Sequence, residues 1–223
     1  MLLLLSEGRA VSAERLIDEL WGAQPPPSAH AALQVYVSGL RKFLGSRLRR
    51  AAGGYALDVA DGELDSARFA ALVIDAGTQL LTEPAQASSL LARALELWRG
   101  DALAGAGDTP AVRGGRLRLD EQRMAAIEDR VGADLALSRH ALVLAELAEL
   151  VAANPTRERL GALYMLALAR CGRASEAAHA YLRLAEHLRD HLGSEPSEET
   201  AALAGAIARR DPIIDAPHTS NLP

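Results

Sequence analysis

The stretch that decides the fold is SAERLIDELWGAQPPPSAHAALQVYVSGLRKFLGSRLRRAAGGYALDV, residues 12–59. Ser12 is a good N-cap, and Leu16, Ile17, Leu20 and Trp21 form an apolar stripe at helical spacing, closed by Gly22. The prolines of AQPPPS remove donors and fix the backbone, so no helix crosses them. Ser28 can cap a second helix that runs to about Leu44 and stops at Gly45. Gly53 and Gly54 supply the positive φ angles of a tight hairpin, after which Tyr55, Leu57 and Val59 alternate. Helix, turn, helix, hairpin is the order of a winged helix-turn-helix.

The second helix has two contrasting faces. Leu33, Val37, Leu40 and Leu44 share one, which reads as core. Opposite them stand Ala31, Val35, Ser38, Gly39 and Lys42, flanked by Gln34 and Arg41 on one side and by Ala32, Tyr36 and Phe43 on the other. Small side chains allow close approach to a DNA major groove, apolar ones can touch thymine methyls, and Arg or Lys reach guanine or phosphate. A helix packed on another part of the chain by its small residues is the plainer reading. The proline turn and the basic hairpin tip the balance toward DNA.

Charge supports this. The chain has 223 residues and a formal net charge of −5, so no global attraction to nucleic acid or membrane follows. Yet from Trp21 to Leu57 there are five basic residues, Arg41, Lys42, Arg47, Arg49 and Arg50, and no acidic one. Local potential governs contact with nucleic acid. The single cysteine, Cys171, excludes a disulfide framework and makes a reducing cytoplasm the default. MLLLL lacks a basic leader, and Ser6 and Glu7 follow at once, so neither a signal peptide nor a membrane span is expected.

After Leu64 helix follows helix, near 66–81, 84–98, 114–137, 139–152, 156–171, 174–191 and 197–210. Breaks fall at Pro84, RGDALAGAGDTP, Pro155, Gly172 and GSEP. Short turns between such helices give antiparallel pairs. Gly172, Ala177 and Tyr181 keep the spacing of a tetratricopeptide repeat, and Leu160, Gly161 and Tyr164 echo its first helix. Residues 212–223 read as a disordered tail or linker.

Nothing points to catalysis. There is no Walker loop, no GxSxG, and AGAGD at 104–108 has no lysine or helix start after it. His187 and His191 are one turn apart with Asp190 beside them, a spacing that can bind a metal, but no third ligand is evident and a solvated helix face is the expectation. No cofactor and no metal site is expected. Cys171 reads as a helix-end core residue, His140 as exposed, and His30 as either a surface or a DNA-facing residue.

VSAERLIDELWGAQPPPSAHAALQVYVSGLRKFLG followed by GGYALDV resembles the OmpR-type winged helix of the Streptomyces antibiotic regulatory protein family. DSARFAALV, ALELWRGDAL, AAIEDRVGADLALSRH and RERLGALYMLALARCGRASEAAHAYLRL are similar to the bacterial transcriptional activation domain that follows it there. The resemblance runs over about residues 2–212. It implies a mainly α protein: a winged helix at 1–60, a tetratricopeptide-like helical domain at 61–211, and a tail at 212–223. It implies an activator of an actinomycete antibiotic gene cluster that binds promoter direct repeats, acts as a homodimer on double-stranded DNA and contacts RNA polymerase holoenzyme. The recognition helix is then 28–44 and the wing 47–59. Gln34, Val35, Ser38, Arg41 and Lys42 face the groove, and Arg49 and Arg50 face the backbone.

Two departures from the family pattern bear on this. Gly39 stands where the family usually has an arginine. The family also has an N-terminal strand segment and a full first helix before LLLLSEGRAVS, so the winged helix is expected to be N-terminally truncated, with Leu2 to Leu5, Leu16, Leu20 and Leu40 thinly covered. The alternative left open is a helical-repeat protein-interaction module that has lost DNA binding through that truncation.

Overall fold

The structure is a computed structural model of the whole chain, and it describes residues 1–214. Its elements in chain order are α1 (Leu2–Leu5), β1 (Val11–Ser12), α2 (Ala13–Trp21), α3 (Ala29–Leu44), β2 (Leu48–Ala51), β3 (Gly54–Leu57), α4 (Asp65–Gly77), α5 (Pro84–Leu95), α6 (Pro110–Ala136), α7 (His140–Ala153), α8 (Glu158–Arg170), α9 (Ala174–Leu192) and α10 (Glu198–Arg209). The mainly α reading holds. The described residues form two compact units: Met1–Ala71 with Glu96–Arg123, and Leu72–Leu95 with the described residues from Met124 on.

In the first unit the Ser12 hydroxyl accepts from the Arg15 N–H at 3.1 Å and starts α2. Gly22, at φ +62°, ends it. Ser28 does occupy the N-cap of α3, but its side chain accepts no hydrogen bond from the helix. Gly45, at φ +57°, closes α3. The three strands lie in the order β1-β3-β2, both pairings antiparallel. Strand β1 has only two residues and left no alternating pattern to read. The hairpin glycines divide their work. Gly53 takes the positive φ, +77°. Gly54 does not; it is needed because a Cβ there would stand 1.9 Å from the Val11 carbonyl oxygen. This close approach is what lets β1 pair with β3.

Leu2, Leu3, Leu16, Ile17, Leu33, Val37, Leu48 and Leu57 pack into one core. The thin cover expected at the N-terminal end therefore fails for Leu2, Leu3 and Leu16, which are buried. It holds for Leu20 and Leu40, 52% and 45% exposed. Leu40 is thus not a core residue, although its helical position lies beside Leu33 and Val37. Glu19 at the end of α2 accepts from the Ala111 N–H at 2.9 Å and from the Thr109 hydroxyl. A carboxylate there answers the free N–H groups and positive end of α6.

In the second unit α7, α8, α9 and α10 surround Leu147, Leu160, Leu163, Met165, Leu166, Leu168 and Ala177, all buried. Gly161 lets α8 and α9 approach closely: a Cβ on it would lie 2.8 Å from Leu184 Cδ2. Gly172, at φ +75°, turns the chain between these helices. Ala177 is fully buried and Tyr181 packs against the same core, as the repeat spacing requires. Pro84 is the first residue of α5, as the expected span 84–98 has it, and Pro110 opens α6 four residues before the expected start at 114, because a missing N–H costs nothing in a first turn.

Three expectations need correction. Cys171 caps the end of α8 and is half-buried, not core. His140 is half-buried, with Nδ1 shielded from solvent and no hydrogen-bond partner among the described residues. Pro212–Ile214 forms a short 3-10 turn in which Ile214 joins the core and its carbonyl accepts from Arg170 Nε at 2.7 Å. The tail reading fails for those three residues; 215–223 lie outside the described residues.

A candidate nucleic-acid interface

Helix α3 buries Ala29, Leu33 and Val37, half-buries Ala32, Gly39 and Leu44, the last against the same core, and exposes its other residues. Ala31, Gln34, Val35, Ser38, Arg41 and Lys42 are all exposed, Val35 at 68%. The groove-facing set from the sequence is therefore on one solvent-facing surface with no acidic residue. Gly39 is half-buried, and a Cβ built there meets nothing within 4 Å, so a side chain fits this position without displacing a neighbour. The other flank of α3 is apolar and open, with Tyr36, Leu40 and Phe43 exposed, the last at 89%. Tyr36 stacks on Trp21 of α2, ring centroids 6.1 Å apart and 20° from parallel.

The hairpin separates the two arginines that the sequence treated together. Arg49 pairs with Ala56 and Arg50 with Tyr55, and side chains alternate across a strand, so the two arginines point to opposite faces of the sheet. Arg50 shares a face with Tyr55 and makes no ion pair or hydrogen bond among the described residues. The Arg41 guanidinium lies 5.9 Å from the Tyr55 ring centroid, and its Nε donates to the Leu48 carbonyl at 3.1 Å. Arg41 is thereby fixed between helix and hairpin while its terminal nitrogens stay available. Lys42 also has no partner among the described residues. Arg41, Lys42, Arg50 and Tyr55 thus connect the C-terminal end of α3 to one face of the hairpin.

Arg49 and Arg47 are engaged elsewhere. Arg49 Nε donates to Asp58 at 2.7 Å, and its Nη2 reaches the Gly8 carbonyl at 3.5 Å. Arg47 makes a bidentate pair with Glu63, both bonds 2.8 Å. The hydrogen bonds from Arg47, then the Ala60 N–H, hold the Glu63 carboxyl below the usual carboxylate range, and the same pair raises the Arg47 guanidinium. The residues that sequence reading missed are these two counter-ions and Tyr55. Asp58 was accessible from the hairpin register, two residues beyond the partner of Arg49. Glu63 left no signal, because only the fold brings it back to Arg47.

No helix among the described residues is long and apolar enough to cross a membrane. No group of three or more His, Cys, Asp or Glu side chains among them is arranged to hold a metal ion.

Comparison with known proteins gives the family and the fold. Residues 1–52 match the model of the C-terminal domain of transcriptional regulatory proteins, and residues 64–208 match the bacterial transcriptional activator domain. The transcriptional regulator RedD of Streptomyces coelicolor is 37% identical over 96% of this chain, and the chain spans 64% of that protein. The regulatory protein DnrI of Streptomyces peucetius is 40% identical over 96% of the chain, which spans 84% of it. The structure of Mycobacterium tuberculosis EmbR in complex with a low affinity phosphopeptide superposes with a TM-score of 0.90 at 33% identity, covering 95% of this chain and 58% of that one. The two matched regions in this order, with relatives such as these, place the chain in the Streptomyces antibiotic regulatory protein family of transcriptional regulators.

Proposed function

We propose that the chain is a DNA-binding transcriptional activator of an actinomycete secondary-metabolite gene cluster, acting in the cytoplasm. Residues 1–60 form the reader of double-stranded DNA, and residues 61–211 the helical domain that contacts RNA polymerase holoenzyme. The observation that carries this is the acid-free exposed face of α3, which continues into the Arg41–Tyr55–Arg50 face of the hairpin. In this arrangement Gln34, Val35 and Ser38 meet base edges. Arg41 and Lys42 contact guanine or phosphate at the end of α3, and Arg50 contacts the backbone. Arg49 reaches phosphate only by leaving Asp58. Binding to promoter direct repeats follows with two copies side by side.

The test is a selection of duplexes from random-sequence DNA, followed by footprinting on the selected sites. Enrichment of a direct repeat, protected on one face at helical-turn spacing, supports the reading; a pool that stays random contradicts it. The open apolar flank of Tyr36, Leu40 and Phe43 favours a second reading, in which this part of the chain docks on protein and binds no DNA. The same selection separates the two.

A further inference from the structure

Helix α9 ends in two imidazoles whose geometry the DNA reading does not use. His187 and His191 are one turn apart, with ring centroids 5.8 Å from each other and planes within 14° of parallel. Each Nδ1 sits at hydrogen-bond distance from the backbone carbonyl one turn earlier, His187 to Arg183 at 2.7 Å and His191 to His187 at 3.1 Å. A carbonyl oxygen can only accept, so both Nδ1 atoms carry the proton. In the neutral rings the lone pair is therefore on Nε2. This is the state that a metal-binding histidine is held in by its outer partner. His191 is exposed and His187 half-buried, so neither lone pair is taken by the core.

We propose that His187 and His191 form a two-imidazole seat for a divalent cation of the zinc, nickel or copper class, which prefers nitrogen donors. Two histidines at this spacing on one helix face form a chelate. The rings are parallel, so a bridging cation draws the two Nε2 atoms together by rotation about the side-chain bonds. The location favours positive charge. The pair lies in the final turns of α9, where unsatisfied carbonyls give the helix its negative end. Glu186 and Asp190 flank it, Arg183 stands a turn earlier, and Arg189 is held by Glu195 at 3.0 Å. No third protein ligand is gathered among the described residues, so water fills the remaining positions. Leu188 follows His187 where a metalloprotease carries its glutamate, which makes this a binding seat and not a hydrolytic centre.

His179 is the internal control. Its Nδ1 has the same tether, to the Ser175 carbonyl at 2.8 Å, but Arg183 and not histidine lies one turn on. The experiment is calorimetric titration of the chelator-stripped full chain with zinc and with nickel chloride, beside H187A, H191A and H179A. One saturable site per chain is expected, weakened at least tenfold in H187A and in H191A and unchanged in H179A. Ring-nitrogen NMR should show the His187 and His191 Nε2 signals moving together on addition of zinc. The proposal is overturned if no saturable binding occurs, if H191A binds as the parent does, or if H179A weakens binding as much as the other two. His179 and His191 are exposed and His187 is half-buried, and circular dichroism of each variant checks that the fold is retained.

Discussion

Replacing Arg50 by alanine, beside Arg49 by alanine, is the sharpest test of how the hairpin meets DNA. The two arginines are neighbours in sequence but differ in what they can offer a phosphate. Arg50 has no partner among the described residues and lies on the Tyr55 face with Arg41. Arg49 is bound to Asp58 at 2.7 Å, with the two side chains 49% and 53% exposed, so part of its charge is already neutralised. Each phosphate contact contributes about 0.9 to the slope of log affinity against log salt. Losing one contact therefore flattens the slope by about 0.9. Between 50 and 200 mM salt that amounts to a change of about 3.5-fold in the ratio of parent to variant affinity. R50A is expected to show this whole effect, and R49A less than half of it. Fluorescence anisotropy with a labelled duplex at four or five salt concentrations measures both slopes, and thermal unfolding should place both variants with the parent. If R49A flattens the slope as much as R50A does, or if R50A leaves it unchanged, the division of the hairpin into a free and a tethered arginine is wrong.

Three further outcomes follow from the packing. Gly54→Ala puts a methyl group onto the Val11 carbonyl, a backbone atom that cannot swing away, so β1 and β3 must separate; chemical denaturation should show a loss of about 3 kcal/mol, at the upper end for overpacking, with DNA binding lost as well. Glu128 is 2% exposed and accepts from Arg157 Nε at 2.5 Å, with Arg159 at 3.6 Å, so Glu128→Ala takes a buried carboxylate away from two arginines. A destabilisation of about 3 kcal/mol is expected in urea, the lower bound for breaking a buried pair because Arg157 is partly solvated. The Glu158 carboxyl should couple α10 to acid. Burial alone would raise it, but hydrogen bonds from Ser197 and Thr200, including the Ser197 N–H at 2.6 Å, outweigh burial and hold it below its ordinary value of 4.5. Its stabilising contribution is then complete above 4.5 and is lost as acidification carries the pH through the lowered folded value; hydrogen exchange in α10 should rise over that window and the acid dependence should disappear in E158Q.

The elements of this fold were legible because local chemistry and tertiary demand agree over most of the chain. Ser12, Gly22, Gly45 and Gly172 mark helix ends by capping and positive φ, and the structure uses each of them so. What escaped the sequence depended on distant partners. Leu40 has the spacing of a core residue, yet it stays 45% exposed, and periodicity cannot say whether a neighbour is present. Gly54 looked like a second turn glycine, but its need is a close approach to a two-residue strand that carries no pattern. Pro110 looked like the end of a break and serves as the first residue of α6, whereas Pro84 opens its helix where the sequence put it. In the candidate interface the α3 face was legible residue by residue from the helical period. The fate of the arginines was not, because Glu63 returns to Arg47 across sixteen residues of chain. The histidine tethers of α9 depend on ring orientation, which no spacing specifies.

The central claim is that the basic surface of α3 and the hairpin binds DNA through phosphates. Anisotropy of the full chain with promoter direct-repeat duplex, titrated across salt, tests it most directly. Per bound copy, Arg41, Lys42 and Arg50 alone predict a log–log slope of about −2.7, and adding Arg47 and Arg49 brings it to about −4.5. A slope within that range, lost on combined replacement of Arg41, Lys42 and Arg50 by alanine, is the predicted result. Absence of binding at low salt, or a slope shallower than about −1, would contradict it.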